Sequence, residues 1–92
     1  MIKIKSVTNY SDIWGNEQDG YTVNDAFHYD IDAIIADSGE AILNFLMEQG
    51  FISIETQLSD IEIEDGTEQI FINEAETFKP LFAIYFDTME EN

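Results

Sequence analysis

The sequence predicts an α+β fold, a mostly antiparallel sheet with one helix packed on one face. Three observations lead there. Short runs towards both ends alternate apolar and polar residues with the period of two that a half-buried strand requires, as in IKIK at residues 2–5 and IEIE at residues 61–64. A single stretch, between Ser38 and Gly50, carries apolar residues at helical spacing with both a start and a stop signal. Finally, 92 residues with 45% hydrophobic content suffice for one core, so residues 1–92 are expected to form a single domain.

In chain order, IKIKSV at residues 2–7 opens the sheet, with Ile2 and Ile4 facing inward, Ser6 next in phase, and Lys3 and Lys5 facing water. NYSDIWGNEQDGYTVND at 9–25 holds two glycines and scattered aromatics without a sustained period, and reads as a long loop or loose hairpin. FHYDIDAIIAD at 27–37 places Tyr29, Ile31, Ala33 and Ile35 on one face and His28, Asp30 and Asp32 on the other. A helix over 39–49 follows. Asp37 and Ser38 can cap it, Asp37 with Glu40 fits a reciprocal cap, and Gly50 suits a left-handed exit. Its polar stripe of Glu40, Asn44 and Glu48 is narrow, so Leu43 or Met47 is expected to be partly exposed or covered by the long loop.

FISIETQL at 51–58 reads as a short strand or an extended connector. Two alternating runs then flank Asp65-Gly66, which predicts a hairpin with Ile61, Ile63, Ile70 and Ile72 facing the core. NEAETFKP carries the sole proline and makes a connection, and LFAIYFD at 81–87 is apolar on both faces, as a central strand is. Residues 88–92 are expected to fray.

The charge is the feature that departs from an ordinary chain. Twenty acidic residues stand against Lys3, Lys5 and Lys79, giving −17, and no lysine or arginine occurs from residue 6 to residue 78. Such a chain repels itself and repels nucleic acid, so DNA or RNA is not expected as a direct partner. With no cysteine, disulfides, thiolate nucleophiles and cysteine-based zinc sites drop out. No run approaches the ~18 apolar residues of a membrane span, and no signal-type block opens the chain. A cytoplasmic protein without a membrane partner is expected.

Catalysis has little to draw on. There is one histidine, His28, read as a surface strand residue, and neither a phosphate loop nor a nucleophile elbow is present. A non-enzyme without cofactor or metal is the expectation. DIEIEDG at 60–66 fails as a calcium loop, because placing Gly66 at the sixth position puts Ile61, which has no side-chain oxygen, at the first. On a strand, though, Asp60, Glu62 and Glu64 share a face and form a carboxylate row about 13 Å long. Asp65 extends the acid into the turn, and Asp30 and Asp32 make a shorter row. Duplex DNA carries a charge about every 3.4 Å along each strand, so these rows are a sparse version of a phosphate track that a lysine- and arginine-lined groove would accept.

Residues 14–24, WGNEQDGYTVN, carry the remaining signal. Trp14, Gly15, Asn16, Glu17, Asp19, Gly20, Tyr21, Val23 and Asn24 fit a W-G-N-E-x-D-G-Y-x-V-N pattern that resembles a group of small acidic uncharacterised proteins of bacteriophages and prophages. The resemblance implies a phage setting in the cytoplasm of a host cell. In that setting, a small acidic protein of DNA-like character implies an inhibitor of a basic nucleic-acid-binding host defence protein, with an anti-CRISPR role the most specific version. Trp14, Glu17 and Asp19 join the acid rows as expected partner-binding residues. The rival expectation is a structural or regulatory phage protein that works through the wide apolar helix face and Trp14, as in a homodimer.

Overall fold

In the computed structural model, which describes residues 1–88, the chain forms five strands and one α-helix in the order β1 (Ile2–Asn16), β2 (Gly20–Ile35), α1 (Gly39–Glu48), β3 (Ile61–Asp65), β4 (Gln69–Glu74) and β5 (Pro80–Thr88). The strands make one sheet in the order β2-β1-β5-β4-β3, and every pairing is antiparallel. This is the α+β arrangement that the sequence predicts. LFAIYFD takes the central place, and Pro80, which has no N–H to give a ladder, stands at the first position of β5.

Of the two forms expected for the stretch at 9–25, a long loop or a loose hairpin, the structure has the hairpin, regular and continuous with the sheet. β1 and β2 run on as a two-stranded ribbon to a tight turn between Asn16 and Gly20, past the last β1–β5 pair at Asn9 and Phe82. The outer part of this ribbon is an arm beyond the five-stranded body. Its register shifts between Tyr10 and Asp12 and again between Asp12 and Ile13. Each bulge moves one strand out of phase, so an alternating pattern cannot persist through the arm even though the backbone is extended throughout. A third irregularity, between Ile4 and Ser6, re-phases β1 so that Val7, and not Ser6, follows Ile4 into the core.

Ser38 caps α1, its hydroxyl accepting from the Ala41 N–H at 3.2 Å. Asp37 and Glu40 do not form the reciprocal cap. At the other end Gly50 adopts φ +80°, while the Gly50 N–H donates to Met47 and the Phe51 N–H to Leu46, which closes the helix by the left-handed route. Residues 51–57 form a connector without a strand, and Leu58–Asp60 make one 3₁₀ turn. Thr88, expected to fray, pairs with Ile2, and the rest of the expected fraying, from residue 89, lies outside the described residues.

One core joins Ile42, Leu43, Phe45 and Leu46 of α1 to Ile2, Ile4, Val7, Ile61, Ile70, Ile72, Phe82 and Ile84. Of the four hairpin isoleucines expected inside, Ile61, Ile70 and Ile72 are buried and Ile63 is half-buried against the same cluster. Leu43 is buried and Met47 half-buried, so the wide apolar sector of α1 is consumed by the core. Burying an isoleucine contributes about 1.5–3 kcal/mol, and a core this rich in them offsets the self-repulsion of the acidic surface.

Candidate functional site

Directly opposed residues of an antiparallel pair share a face of the sheet, so the register assigns each carboxylate a side. One row runs His28, Thr8, Ala83, Phe71, Glu64 across all five strands, and the next runs Asp30, Ser6, Tyr85, Gln69. Neither includes a core isoleucine. The core face is the opposite one, where Val7 pairs with Ile84 and Ile72 with Phe82. Asp30, Asp32, Glu62 and Glu64 therefore all project from the face away from the core, the first two on edge strand β2 and the last two on edge strand β3.

Four interstrand steps of ~4.8 Å put the two acidic edges ~19 Å apart. Between them the row from Thr8 through Ala83 to Phe71 is uncharged, while Lys3, Lys5 and Asp87 occupy one end of the middle strands. Thr8 is buried, and its Oγ1 lies 2.8 Å from Nδ1 of the exposed His28. The Tyr10 hydroxyl is held above its ordinary pKa by burial and, secondarily, by the neighbouring Tyr85. At one end of the face Lys3 reaches Asp32 at 3.5 Å and Lys5 reaches Asp87 at 3.4 Å. Both pairs are solvent-exposed and contribute little to stability.

Asp60 and Asp65 stand apart from these rows. Asp60 lies in the 3₁₀ turn ahead of β3, where its Oδ2 accepts from the Gln57 N–H at 2.8 Å and its carbonyl accepts from the Ala75 N–H at 3.1 Å. The expected three-carboxylate strand row is thus two strand carboxylates preceded by a capping one. Asp65 pairs with Ile70, which turns it to the core side at the exposed end of the hairpin. Gly66 follows in the turn, its N–H donating to the Gln69 carbonyl at 2.7 Å, so Asp65-Gly66 lies beside the turn as the sequence suggests.

Trp14, Glu17 and Asp19 gather at the end of the arm, remote in sequence register from both sheet rows. Trp14 is 61% exposed and its indole Nε1–H donates to Asp12 Oδ1 at 3.1 Å. The other Asp12 oxygen accepts from Asn24 Nδ2 at 2.8 Å, which ties the two strands of the arm together. At the turn the Asp19 N–H donates to Asn16 Oδ1 at 2.7 Å, and Asn16 Nδ2 donates back to Asp19 Oδ2 at 3.2 Å. Tyr21 donates its hydroxyl to the Thr77 carbonyl at 2.6 Å, anchoring the arm to the β4–β5 loop. In that loop Phe78 holds a left-handed φ of 59°, supported by its N–H to the Glu74 carbonyl.

Sequence reasoning missed Asp12, which braces the arm together with Tyr21 of the WGNEQDGYTVN segment. The signal of Asp12 was hidden because it depends on pairing a stretch that shows no period. Among the described residues, no group of three or more histidine, aspartate or glutamate side chains is gathered in a way that would hold a metal ion. No helix among them is long and apolar enough to cross a membrane. Compared with protein-family models, with curated proteins and with solved structures, the chain matches none.

Proposed function

We propose that this protein is a nucleic-acid mimic that blocks the basic groove of a host defence protein, with α1 packed on one face of the sheet and the opposite face turned to the partner. The observation that carries the reading is the placement of both carboxylate rows on that one face, at opposite edges, about 19 Å apart across the strands and offset along them, with Glu64 level with His28 and Asp30 two residues further on. Two backbones flanking a major groove about 12 Å wide present charge on a comparable scale. Asp30 and Asp32 stand for one rail, Glu62 and Glu64 for the other, and groove lysines and arginines supply the complement. A nuclease effector of CRISPR type is the most specific partner of this class, given the phage-like segment around Trp14. The protein acts by occupation and not by chemistry: the Thr8 hydroxyl beside His28 is buried, where a substrate does not reach it.

One observation favours a second reading, in which an apolar contact dominates: the exposed Trp14 on its braced arm. α1 takes no part in it, since its apolar residues are in the core.

The test uses a protein captured from bacterial lysate and a quadruple variant, Asp30→Asn, Asp32→Asn, Glu62→Gln and Glu64→Gln. The variant is expected to remain folded, to bind on the order of a hundredfold more weakly, and to lose both the steep salt dependence and the competition by double-stranded DNA. Equal binding by the two proteins at low salt, with no competition by DNA, overturns the mimic and leaves the contact at Trp14.

A further inference from the structure

β2 ends the sheet, and among the described residues no strand pairs with its outer side. It is 16 residues long, whereas the other edge strand, β3, has five. An open edge presents N–H and C=O groups that template another strand, and proteins usually blunt it with lysine, proline or a short length. β2, GYTVNDAFHYDIDAII, has none of these. It carries Asp25, Asp30 and Asp32, and among its side chains Val23, Phe27, Tyr29 and Ile34 are large apolar groups left exposed, Phe27 at 55% and Ile34 at 52%. Against β2 and its inner neighbour lies a recess of about 410 Å³ bounded by Asn9 of β1, by Tyr29, Asp30 and Ile31, and by Gln49, Gly50 and Phe51 at the exit of α1. The last turn of α1 has no basic residue, so its partial negative end meets the recess uncompensated.

We propose that the β2 edge receives an extended basic segment of a partner protein, which adds to the sheet as a sixth strand. Main-chain hydrogen bonds to the edge supply affinity and the alternating side chains supply selectivity. Charge complementarity decides the occupant. Three carboxylates with no cation on the strand repel a second copy laid along the same edge, and Lys3, on the neighbouring strand, is already drawn to Asp32. Lysine or arginine opposite Asp30 and Asp32 shares their face and satisfies them. A long cation opposite Tyr29 or Ile31 shares the other face, lays its stem against Phe51 and brings its charge to the end of α1. The inference shares Asp30 and Asp32 with the mimic reading but is tested apart from it, because it needs the backbone edge, which a purely electrostatic groove contact does not use.

The probe is a synthetic capped peptide alternating lysine with valine and threonine, compared with the same peptide N-methylated on every backbone amide. The two have equal charge, but the methylated one has no backbone N–H on either edge with which to complete a ladder. With ¹⁵N-labelled protein at about 0.15 M salt, the first peptide is expected to slow exchange of outward-facing β2 amides at least tenfold and to bind at least tenfold more tightly than the second. Phe27→Ala, at an exposed position, is expected to weaken the first peptide several-fold. Equal binding of the two peptides reduces the contact to charge alone and overturns the proposal. Protection on β3 instead of β2, absence of binding, or a dimer of the free protein with β2 amides already protected also overturns it.

Discussion

Replacing Asp60 by alanine is expected to destabilise the protein by about 1 kcal/mol, whereas replacing it by asparagine leaves stability unchanged or slightly raised. The structural reason is the 2.8 Å bond from the Gln57 N–H to Asp60 Oδ2, which closes the 3₁₀ turn leading into β3. Losing a capping acceptor of this kind costs about 0.5–2 kcal/mol, and the exposed setting, where water partly replaces the lost partner, argues for the middle of that range. Removing one negative charge from a chain of net −17 works the other way, but an exposed charge interaction is worth only a few tenths of a kcal/mol. Asparagine keeps an acceptor oxygen and removes the charge; alanine removes both. The difference between the two variants therefore isolates the hydrogen bond. For a domain of this size ~1 kcal/mol corresponds to ~4–8 °C in Tm. Urea unfolding followed by circular dichroism is the suitable assay, since the exposed Trp14 reports the arm and not the core. Glu64→Gln serves as the control for a carboxylate without a capping role. Indistinguishable curves for Asp60→Ala and Glu64→Gln would refute the capping role and restore Asp60 to a plain surface row.

Two further outcomes are expected. At pH 7 the Tm rises as salt is added up to about 0.5 M, because screening a −17 surface relieves more repulsion than the exposed Lys3–Asp32 and Lys5–Asp87 pairs lose; a falling Tm would show those pairs to dominate. The raised pKa of Tyr10 means that the folded state holds this proton more tightly than the unfolded chain does. Its contribution is complete below the unfolded value of about 10 and is lost as pH rises through the folded value, so Tyr10→Phe flattens the fall of stability as pH rises above about 10, measured by urea unfolding. An unchanged slope would contradict the burial of the hydroxyl.

Where a strand keeps its phase, the sequence shows it. Tyr29, Ile31, Ala33 and Ile35 alternate cleanly against His28, Asp30 and Asp32, and the structure keeps them in those two sets. The hairpin around Gly66 is legible for the same reason, with Ile63 opposite Ile72. The arm is illegible because Tyr10 to Val23 passes through two register shifts, each of which exchanges inside for outside. Asp60 illustrates a different failure. It sits two residues before Glu62 in a perfect alternation, but a side chain that bonds back to Gln57 bends the chain into a turn, and local hydrogen bonding of this kind competes with the strand that periodicity suggests. For the candidate site, alternation supplied which acids share a strand face. Which strands are edges depends on the order β2-β1-β5-β4-β3, and pairing partners far apart in sequence leave no local trace.

The two edges of this sheet are guarded in different ways. β3 is protected by shortness: five residues, three of them acidic, entered from a 3₁₀ turn and left at a tight loop. β2 is long and partly apolar, and what keeps it from pairing with its own kind is the sign of its charges together with the bulges that break its register with β1. Charge of one sign protects selectively. It repels a second copy of this chain and any nucleic acid, and it admits a cationic segment. The arm sharpens that selectivity, because Asp12 bonds both Trp14 and Asn24, and Tyr21 binds the ribbon to the Thr77 carbonyl, so the outer half of β2 is held as a strand beyond the body of the sheet. A braced, acidic strand whose outer edge is open among the described residues costs less entropy to add to than a mobile loop of the same composition. The absence of lysine and arginine from residue 6 to residue 78 covers the whole of β2 and the arm, and one cation placed there would offer a second copy the countercharge that this edge now lacks.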